Sequence, residues 1–398
     1  MKTNMVRCIT EISFEQVTKA DDSTPRNLKF TFDFVNEFSA TDNWVDLTNQ
    51  AKLTFPKNIY VVDSNKQKLP LGGTDAKKQL DNLFQRGDKV EIKYGYWQYA
   101  DGIEQPKEIN SVFKGFVSKV CSKKPVTLEC EDNMWLLKQI QCKPQTWPKS
   151  KTIEELFNSF KPDIVKFIPN FTVNALTETR VGDLIIQNES VAQLVSRLRK
   201  DFHLEAYFKE DEFRVGSVIY IEDEAVEHLF EFQKNIISDE LEYKRKDDVK
   251  LSAICESINV VSTGKYNKQH QEKTKNERLQ VLVYADLQGN FKFIKKQKNV
   301  DFPANTDGER RTLFFPDETS ADKLAQKGID ELKKYYYTGF KGKFTTFALP
   351  FVKLGDNVRL KDAYLPDRNG LYKVRGVEYT GGVNGHRQII ELDYKLFG

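Results

Sequence analysis

The chain is 398 residues long, 39% hydrophobic and 12% aromatic, enough for ordinary cores in two or three domains. Its charged residues make up 30% of the sequence yet nearly cancel to +3, so no global field draws it onto DNA or an anionic membrane. Residues 1–10 carry no apolar signal core and no window approaches the roughly 18 apolar residues of a membrane span, so a soluble intracellular protein without membrane anchoring is expected.

The first expected domain is residues 1–148. Leu28, Phe30, Phe32 and Phe34 alternate with Lys29, Thr31 and Asp33, the period of a strand buried on one face, and a second strand over 47–55 ends at Pro56 before another at 59–62. Residues 75–86 set Leu80, Leu83 and Phe84 on one helical face and stop at Gly87. Residues 95–110 read as a long hairpin excursion carrying Tyr96, Trp97 and Tyr99. Aromatics at a hairpin tip serve either as a partner contact or as packing over their own barrel, and these three are candidate assembly contacts.

A small α+β domain is expected over 149–225. Thr152-x-x-Glu155 is a capping box, and Ile153, Leu156, Phe157 and Phe160 recur at helical spacing. A second helix from Ser190 carries Val191, Leu194, Val195, Leu198 and Phe202 on one face, followed by short strands at 204–208 and 213–218 around a charged turn. An acidic run over 221–227 links this unit to the next.

Residues 226–398 are expected to form the second β-barrel domain, with strands at 229–232, 240–243, 253–261, 281–284 and 291–294. Residues 262–280 hold only Tyr266 and Leu279 as large apolar side chains, which predicts a mobile, solvated loop. Its Lys265, Tyr266 and Lys268 are further candidate contacts for an acidic protein or nucleic acid. A helix over 320–338 places Ala321, Leu324, Ala325, Ile329, Leu332 and Tyr336 on one face and stops at Gly339.

The closing stretch repeats an earlier one. Gly355-Asp356-Asn357-Val358-Arg359-Leu360-Lys361 matches Gly87-Asp88-Lys89-Val90-Glu91-Ile92-Lys93, each with alternating apolar residues. A glycine-bearing strand and then an alternating one follow each copy, and a helix precedes each. Duplication accounts for the whole series, and Gly355 and Asp356 join the candidate assembly contacts. These patterns predict a fold that is mainly β with α+β: two similar β-barrel domains joined by a small α+β domain.

Chemistry is sparse. The sequence has no G-x-S-x-G elbow, phosphate loop, H-E-x-x-H or acidic calcium loop. Gly339-Phe340-Lys341-Gly342 fits the G-x-x-G of a KH clamp, but that clamp joins two helices, and a helix C-cap plus a turn explains it here. Asp201 beside His203 lies around a helix end, where adjacent side chains do not converge on a substrate. Cys8, Cys121, Cys130, Cys142 and Cys255 are odd in number and lack C-x-x-C spacing, so buried free thiols are expected. No catalytic, metal-binding or cofactor-binding residue is assigned, and no cofactor is expected.

Leu349-Pro350-Phe351-Val352-Lys353-Leu354-Gly355-Asp356, then Leu365-Pro366-Asp367-Arg368-Asn369-Gly370-Leu371-Tyr372, then His386-Arg387-Gln388-Ile389-Ile390-Glu391-Leu392, resembles the late control protein D group of phage baseplate hub proteins. Phe113-Lys114-Gly115-Phe116-Val117 followed by Leu128-Glu129-Cys130-Glu131-Asp132 does so too. The resemblance covers both barrel-like halves and the unit between them, in order. It implies a hub in a contractile tail, or in a related machine such as a type VI secretion spike. In that family three chains, each with two tube-like barrels, make a ring of six barrels that continues the sixfold tail tube and seats a threefold spike.

The resemblance also implies partners and place. The partners are a homotrimer's own copies, a tail tube protein, other baseplate proteins, and DNA or cargo passing through a channel without sequence-specific binding. The place is a virion tail baseplate or injection machine assembled in the host cytoplasm. Spike-fused members continue into a β-helical needle, whereas this sequence reaches Gly398 directly after the barrel, so a separate spike protein is expected. Two rival readings are a tail-associated peptidoglycan hydrolase and an oligonucleotide-binding barrel. The first calls for a larger inserted domain between the barrels. The second calls for a basic face interleaved with aromatics, where Lys89-Val90-Glu91-Ile92-Lys93 instead alternates sign.

Overall fold

The computed structural model describes residues 5–396 apart from 20–25, 57–59, 63–67, 71–82, 101–102, 122, 176–178, 182, 217–224, 267–271, 287, 305–307 and 317. The first segment holds β1 (Met5–Glu15), β2 (Lys29–Phe32), β3 (Glu37–Asn43), β4 (Gln50–Thr54), β5 (Tyr60–Val62), β6 (Lys68–Pro70), β7 (Lys89–Ala100), β8 (Ile103–Glu104), β9 (Glu108–Cys121) and β10 (Thr127–Glu131). A short helix, α1 (Met134–Gln139), leads to the middle unit of β11 (Gln145–Trp147), α2 (Ile153–Asn158), α3 (Lys161–Ile164), β12 (Thr172–Ala175), β13 (Leu184–Ile186), α4 (Val191–Phe202), β14 (Glu205–Lys209) and β15 (Glu212–Gly216). The last segment holds β16 (Glu227–Glu231), β17 (Ile236–Lys244), β18 (Leu251–Tyr266), β19 (Glu272–Ala285), β20 (Phe291–Lys295), β21 (Glu309–Phe314), α5 (Ala321–Lys333), β22 (Gly339–Phe347), β23 (Asn357–Lys361), β24 (Gly370–Gly382) and β25 (Arg387–Leu396).

The fold is mainly β, and its largest sheet crosses the chain from end to end. One lobe has the order β3-β4-β10-β9-β7-β1-β2, and the other β17-β22-β25-β24-β23-β16. The lobes meet where β24 runs on past β23 and pairs antiparallel with β3, from Gly376 opposite Asn43 to Gly382 opposite Glu37. One apolar core, including Phe14, Phe38, Tyr94, Phe344 and Tyr379, runs through both lobes.

The duplication is visible bond by bond. Gly87 and Gly355 both take positive φ, +97° and +83°, the region that glycine enters without Cβ strain. Gly87 N–H donates to the Val117 carbonyl at 2.8 Å, and Val117 N–H donates back to the Asp88 carbonyl at 2.8 Å; Gly355, Val374 and Asp356 repeat this at 3.2 and 2.9 Å. Each aspartate carboxylate accepts from the N–H three residues earlier, Gln85 at 2.7 Å and Lys353 at 2.9 Å. Arg26 then grips Asp88 through both nitrogens at 2.7 and 2.8 Å, where His228 Nε2 holds Asp356 at 2.9 Å. Phe84 and Val352, each four residues before the aspartate, are both buried in the shared core. One residue past Val117 and Val374, both β9 and β24 bulge, at Ser118 and Arg375.

Between the lobes, the capping box at Thr152 forms as expected, and a second one at Ser190 and Gln193 opens α4. Leu156, Phe157, Leu194, Leu198 and Phe213 pack together in the core of this middle unit.

Several expectations are corrected. The described residues of 262–280 are not a loop: Ser262 and Tyr266 lie in β18, and 272–280 in β19, which pairs antiparallel with β18. Backbone bonds sustain this pairing where side-chain alternation has faded. β18 to β21 form their own four-stranded sheet, covered by α5 through Leu324, Ala325 and Leu332, so the strands at 253–261, 281–284 and 291–294 lie outside the second lobe's sheet. The helix expected over 320–338 ends at Lys333, because Tyr337 turns into the lobe core and donates its hydroxyl to the Phe340 and Asp393 carbonyls at 3.2 Å each. Gly339 is the first residue of β22, so Gly339-Phe340-Lys341-Gly342 is strand rather than cap and turn. The helix expected at 75–86 lies outside the described residues up to 82. β1, β3, β6, β11, β12, β13 and β21 are strands that the sequence patterns do not mark.

The Arg26–Asp88 pair has its carboxylate side chain 1% exposed, and removing one partner strands a buried charge at a cost of about 3–5 kcal/mol. Asp88→Ala is therefore expected to lower stability by more than Asp356→Ala, whose partner is the imidazole of His228. Urea unfolding of the two variants checks the order.

Candidate assembly surface

The joint between the lobes is built on β1, β7, β24 and β25. The alternation Thr10, Ile12, Phe14 buries one face of β1, and the register Cys8 opposite Tyr96, Thr10 opposite Tyr94, sets these side chains beside β7. His386, just ahead of β25, enters this space and is 1% exposed. Its Nδ1 lies 3.1 Å from the Gly95 carbonyl, which can only accept, so Nδ1 carries the proton. Nε2, 3.0 Å from Thr10 Oγ1, then accepts from that hydroxyl. Burial lowers the imidazole pKa to about 4, helped by the Arg387 charge and opposed by the Gly95 carbonyl. Tyr94, Tyr96 and Phe38 lie against it, with ring centroids 4.9, 5.7 and 6.4 Å from the imidazole.

A second polar centre lies where β3, α1, the β14–β15 turn and the 353–354 segment converge on a cleft of about 130 Å³. Asp132 accepts from Asn49 N–H at 3.1 Å and Met134 N–H at 3.0 Å, fixing the entry of α1. Burial pushes its carboxyl up to about 7 against the pull of those two N–H groups, and pushes Asp42 up to about 6 against Lys209 and Lys353. Among the described residues no group of three or more His, Cys, Asp or Glu side chains could hold a metal ion. Cys130, Cys142 and Cys255 are buried thiols, whereas Cys8 is exposed and Cys121 half-buried.

The candidate contacts fall in three places. Tyr96 is not at an exposed tip: it is 8% exposed, and its hydroxyl accepts from Ala348 N–H of the other lobe at 3.3 Å. It packs in the joint against the other lobe, rather than over its own barrel. Trp97 and Tyr99 sit edge to face at 6.3 Å near the outer end of β7, half-buried, with exposed Met5, Val6 and Ile103 on the adjoining strands. The buried Trp97 Nε1 has no acceptor among the described residues. Lys265 and Tyr266 close β18, and Lys268 lies outside the described residues. Gly355 and Asp356 build the turn before β23, with Asp356 buried. His386 was missed as a joint residue, and no sequence pattern marks it. The alternation in β1 could have revealed Thr10.

The unfolded chain takes up a proton at His386 near pH 6.5, and the folded chain refuses it until about 4, so this group weakens the fold as pH falls through that window. Asp42 and Asp132 act in the opposite sense, since their raised values favour the folded state at low pH. Their effect cancels when the native protein is compared with His386→Gln. The stability advantage of the native protein over that variant is expected to be largest above pH 6.5 and to shrink steadily towards pH 4, as read from urea midpoints across that range.

No protein-family profile and no curated protein matches the sequence. Among solved structures, the chain is similar to the tail protein from Neisseria meningitidis MC58, with a TM-score of 0.54 at 12% identity, covering 98% of this chain and 97% of that one. It is similar to the 43 kDa tail protein of prophage MuSo2 from Shewanella oneidensis, with a TM-score of 0.50 at 11% identity over 96% and 98% of the two chains. A chain of the half-lidded Francisella PdpA-VgrG complex aligns with 98% of this one at a TM-score of 0.50 and 12% identity, this chain spanning 58% of it. With both polypeptides covered almost end to end in the first two cases, the chain has the fold of these tail proteins, the fold that its resemblance to the baseplate hub group implied.

Proposed function

We propose that this chain is a structural subunit of a baseplate hub in a phage tail or related injection machine, three copies closing a ring of six lobes around a channel. The observation that carries the reading is the likeness of the two lobes, in the matching strand orders β3-β4-β10-β9-β7 and β17-β22-β25-β24-β23 and in the hydrogen bonds of the Gly87-Asp88 and Gly355-Asp356 turns. A chain with two like lobes presents sixfold geometry on one side with only three subunits, and can join a sixfold tail tube to a threefold spike. That one similar chain was solved within a PdpA-VgrG complex supports a role inside an assembly.

In this reading the partners are a tube protein, a separate spike and other baseplate proteins, with DNA or cargo passing through without sequence readout. Assembly takes place in the host cytoplasm. The end of β7 bearing Trp97 and Tyr99, with Met5, Val6 and Ile103 beside it, is the surface offered to one of those partners. The Trp97 indole N–H, which has no acceptor among the described residues, would find one there. The scheme assigns the chain no catalytic role.

Two outcomes are expected. Light scattering of the purified protein should give three times the chain mass, with rings of six densities in negative stain; a stable monomer or dimer refutes the trimer. The same preparation should neither clear a peptidoglycan suspension nor release phosphate from nucleotides. Clearance that disappears on changing a single glutamate would restore the hydrolase reading.

A further inference from the structure

The equivalence of the lobes leaves two strand edges unaccounted for. β3 and β17 are counterparts: each pairs through one edge with the strand that follows it in its lobe, β4 or β22. Matching those registers places residues 37–43 of β3 on residues 238–244 of β17. The second edge of β3 is filled by β24, but β17 has no second neighbour among the described residues. The complement is also present. β24 reaches β3 with the residues beyond its bulge, and the counterpart of that stretch in β9 is 119–121, paired on one side to β10. On the other side, β7 reaches only as far as Phe116.

We propose that the free edge of β17 in one copy pairs antiparallel with residues 119–121 of β9 in the next, repeating between subunits the β3–β24 joint within each. This rests on the ring reading above and names its contact. A head-to-tail contact of two different edges is the kind that closes into a ring when its rotation allows. Each chain carries one edge of either sort, so none is left over after closure.

Charge selects the pairing. β17 exposes Asp239, Glu240 and Glu242, which by themselves would blunt an edge strand and repel a second β17. Just past the end of β9 the exposed Lys123 and Lys124 offer the opposite sign. Carrying the β3–β24 register over sets Cys121 opposite Glu242, Lys123 opposite Glu240 and Lys124 opposite Asp239. The one unfavourable pair is Lys119 against Lys244. Each already has an anion within its own copy, Glu129 at 3.0 Å and Glu242 at 3.3 Å respectively. Complementary charges of this kind fix register and exclude wrong partners more than they add affinity.

Reversing the edge with Asp239→Lys, Glu240→Lys and Glu242→Lys is expected to weaken assembly at least 100-fold in concentration-dependent light scattering. Adding Lys123→Glu and Lys124→Glu to the same chain should recover the trimer, which shows that the first variant was folded. Independently, Glu242→Cys should form disulfide-linked oligomers through the native Cys121 under mild oxidation, ending at a trimer on a non-reducing gel and vanishing with Cys121→Ser. A trimer that ignores charge reversal and gives no such crosslink overturns the edge contact and leaves the ring reading standing. A native protein that stays monomeric at every concentration overturns both.

Discussion

Backbone hydrogen bonding between β3 and β24 ties the early part of the chain to its end, and the other arrangements follow from that pairing. Because a strand pair fixes both spacing and twist, the two lobes cannot rotate freely about each other once β24 has seated. The fit is close. A Cβ on Gly381 would come within 2.3 Å of the Phe38 ring, so glycine is required for that ring to lie against the joint. With the strands in place, Tyr94, Tyr96, Tyr379 and His386 are brought into one buried cluster contributed by both lobes.

Polar groups inside this framework specify it more than they stabilise it. The carboxylates of Asp88 and Asp356 each close a tight turn through a backbone N–H, and each is covered by a side chain from a distant strand or loop. A slipped register would leave those carboxylates buried without partners, a penalty of several kcal/mol that apolar packing alone would not impose. His386 works similarly at the joint, where its two nitrogens are matched to one acceptor and one hydroxyl.

What the sequence revealed tracks where alternation survives. β7 and β23 are half-buried strands whose apolar residues fall on one side, so their period and the preceding Gly-Asp turns were legible and the duplication with them. The β18–β19 pair was read as a loop because its outer part is polar, and strand pairing there rests on backbone bonds that leave no mark in residue type. The helical spacing runs on past the end of α5 because Tyr336 lies four residues after Leu332, while the tertiary demand of the lobe core for Tyr337 ends the helix at Lys333. Tyr96 looked like a tip residue because one strand cannot announce which of its faces meets another lobe. That β17 and the end of β9 lack a neighbour among the described residues was beyond reach for the same reason: an absent neighbour is a property of topology.

The position of the β18–β21 sheet and α5 carries a consequence for how such chains change over time. β17 and β22 form an antiparallel pair that begins with Lys244 opposite Gly339, so the chain leaves the second lobe and re-enters it at one spot, with Lys246 N–H bonded to Thr338 Oγ1 at 2.9 Å. In the first lobe the corresponding pair, β3 and β4, is joined by residues 44–49 alone. Everything from 245 to 338 therefore occupies the place of an ordinary hairpin turn. Insertions are tolerated where entry and exit lie side by side, because the host loses no hydrogen bond to accommodate them. Length and surface can diversify within this stretch while the paired lobes stay fixed, provided that Tyr337 still fills the lobe core and Ile258 and Phe314 still pack in the core of the middle unit.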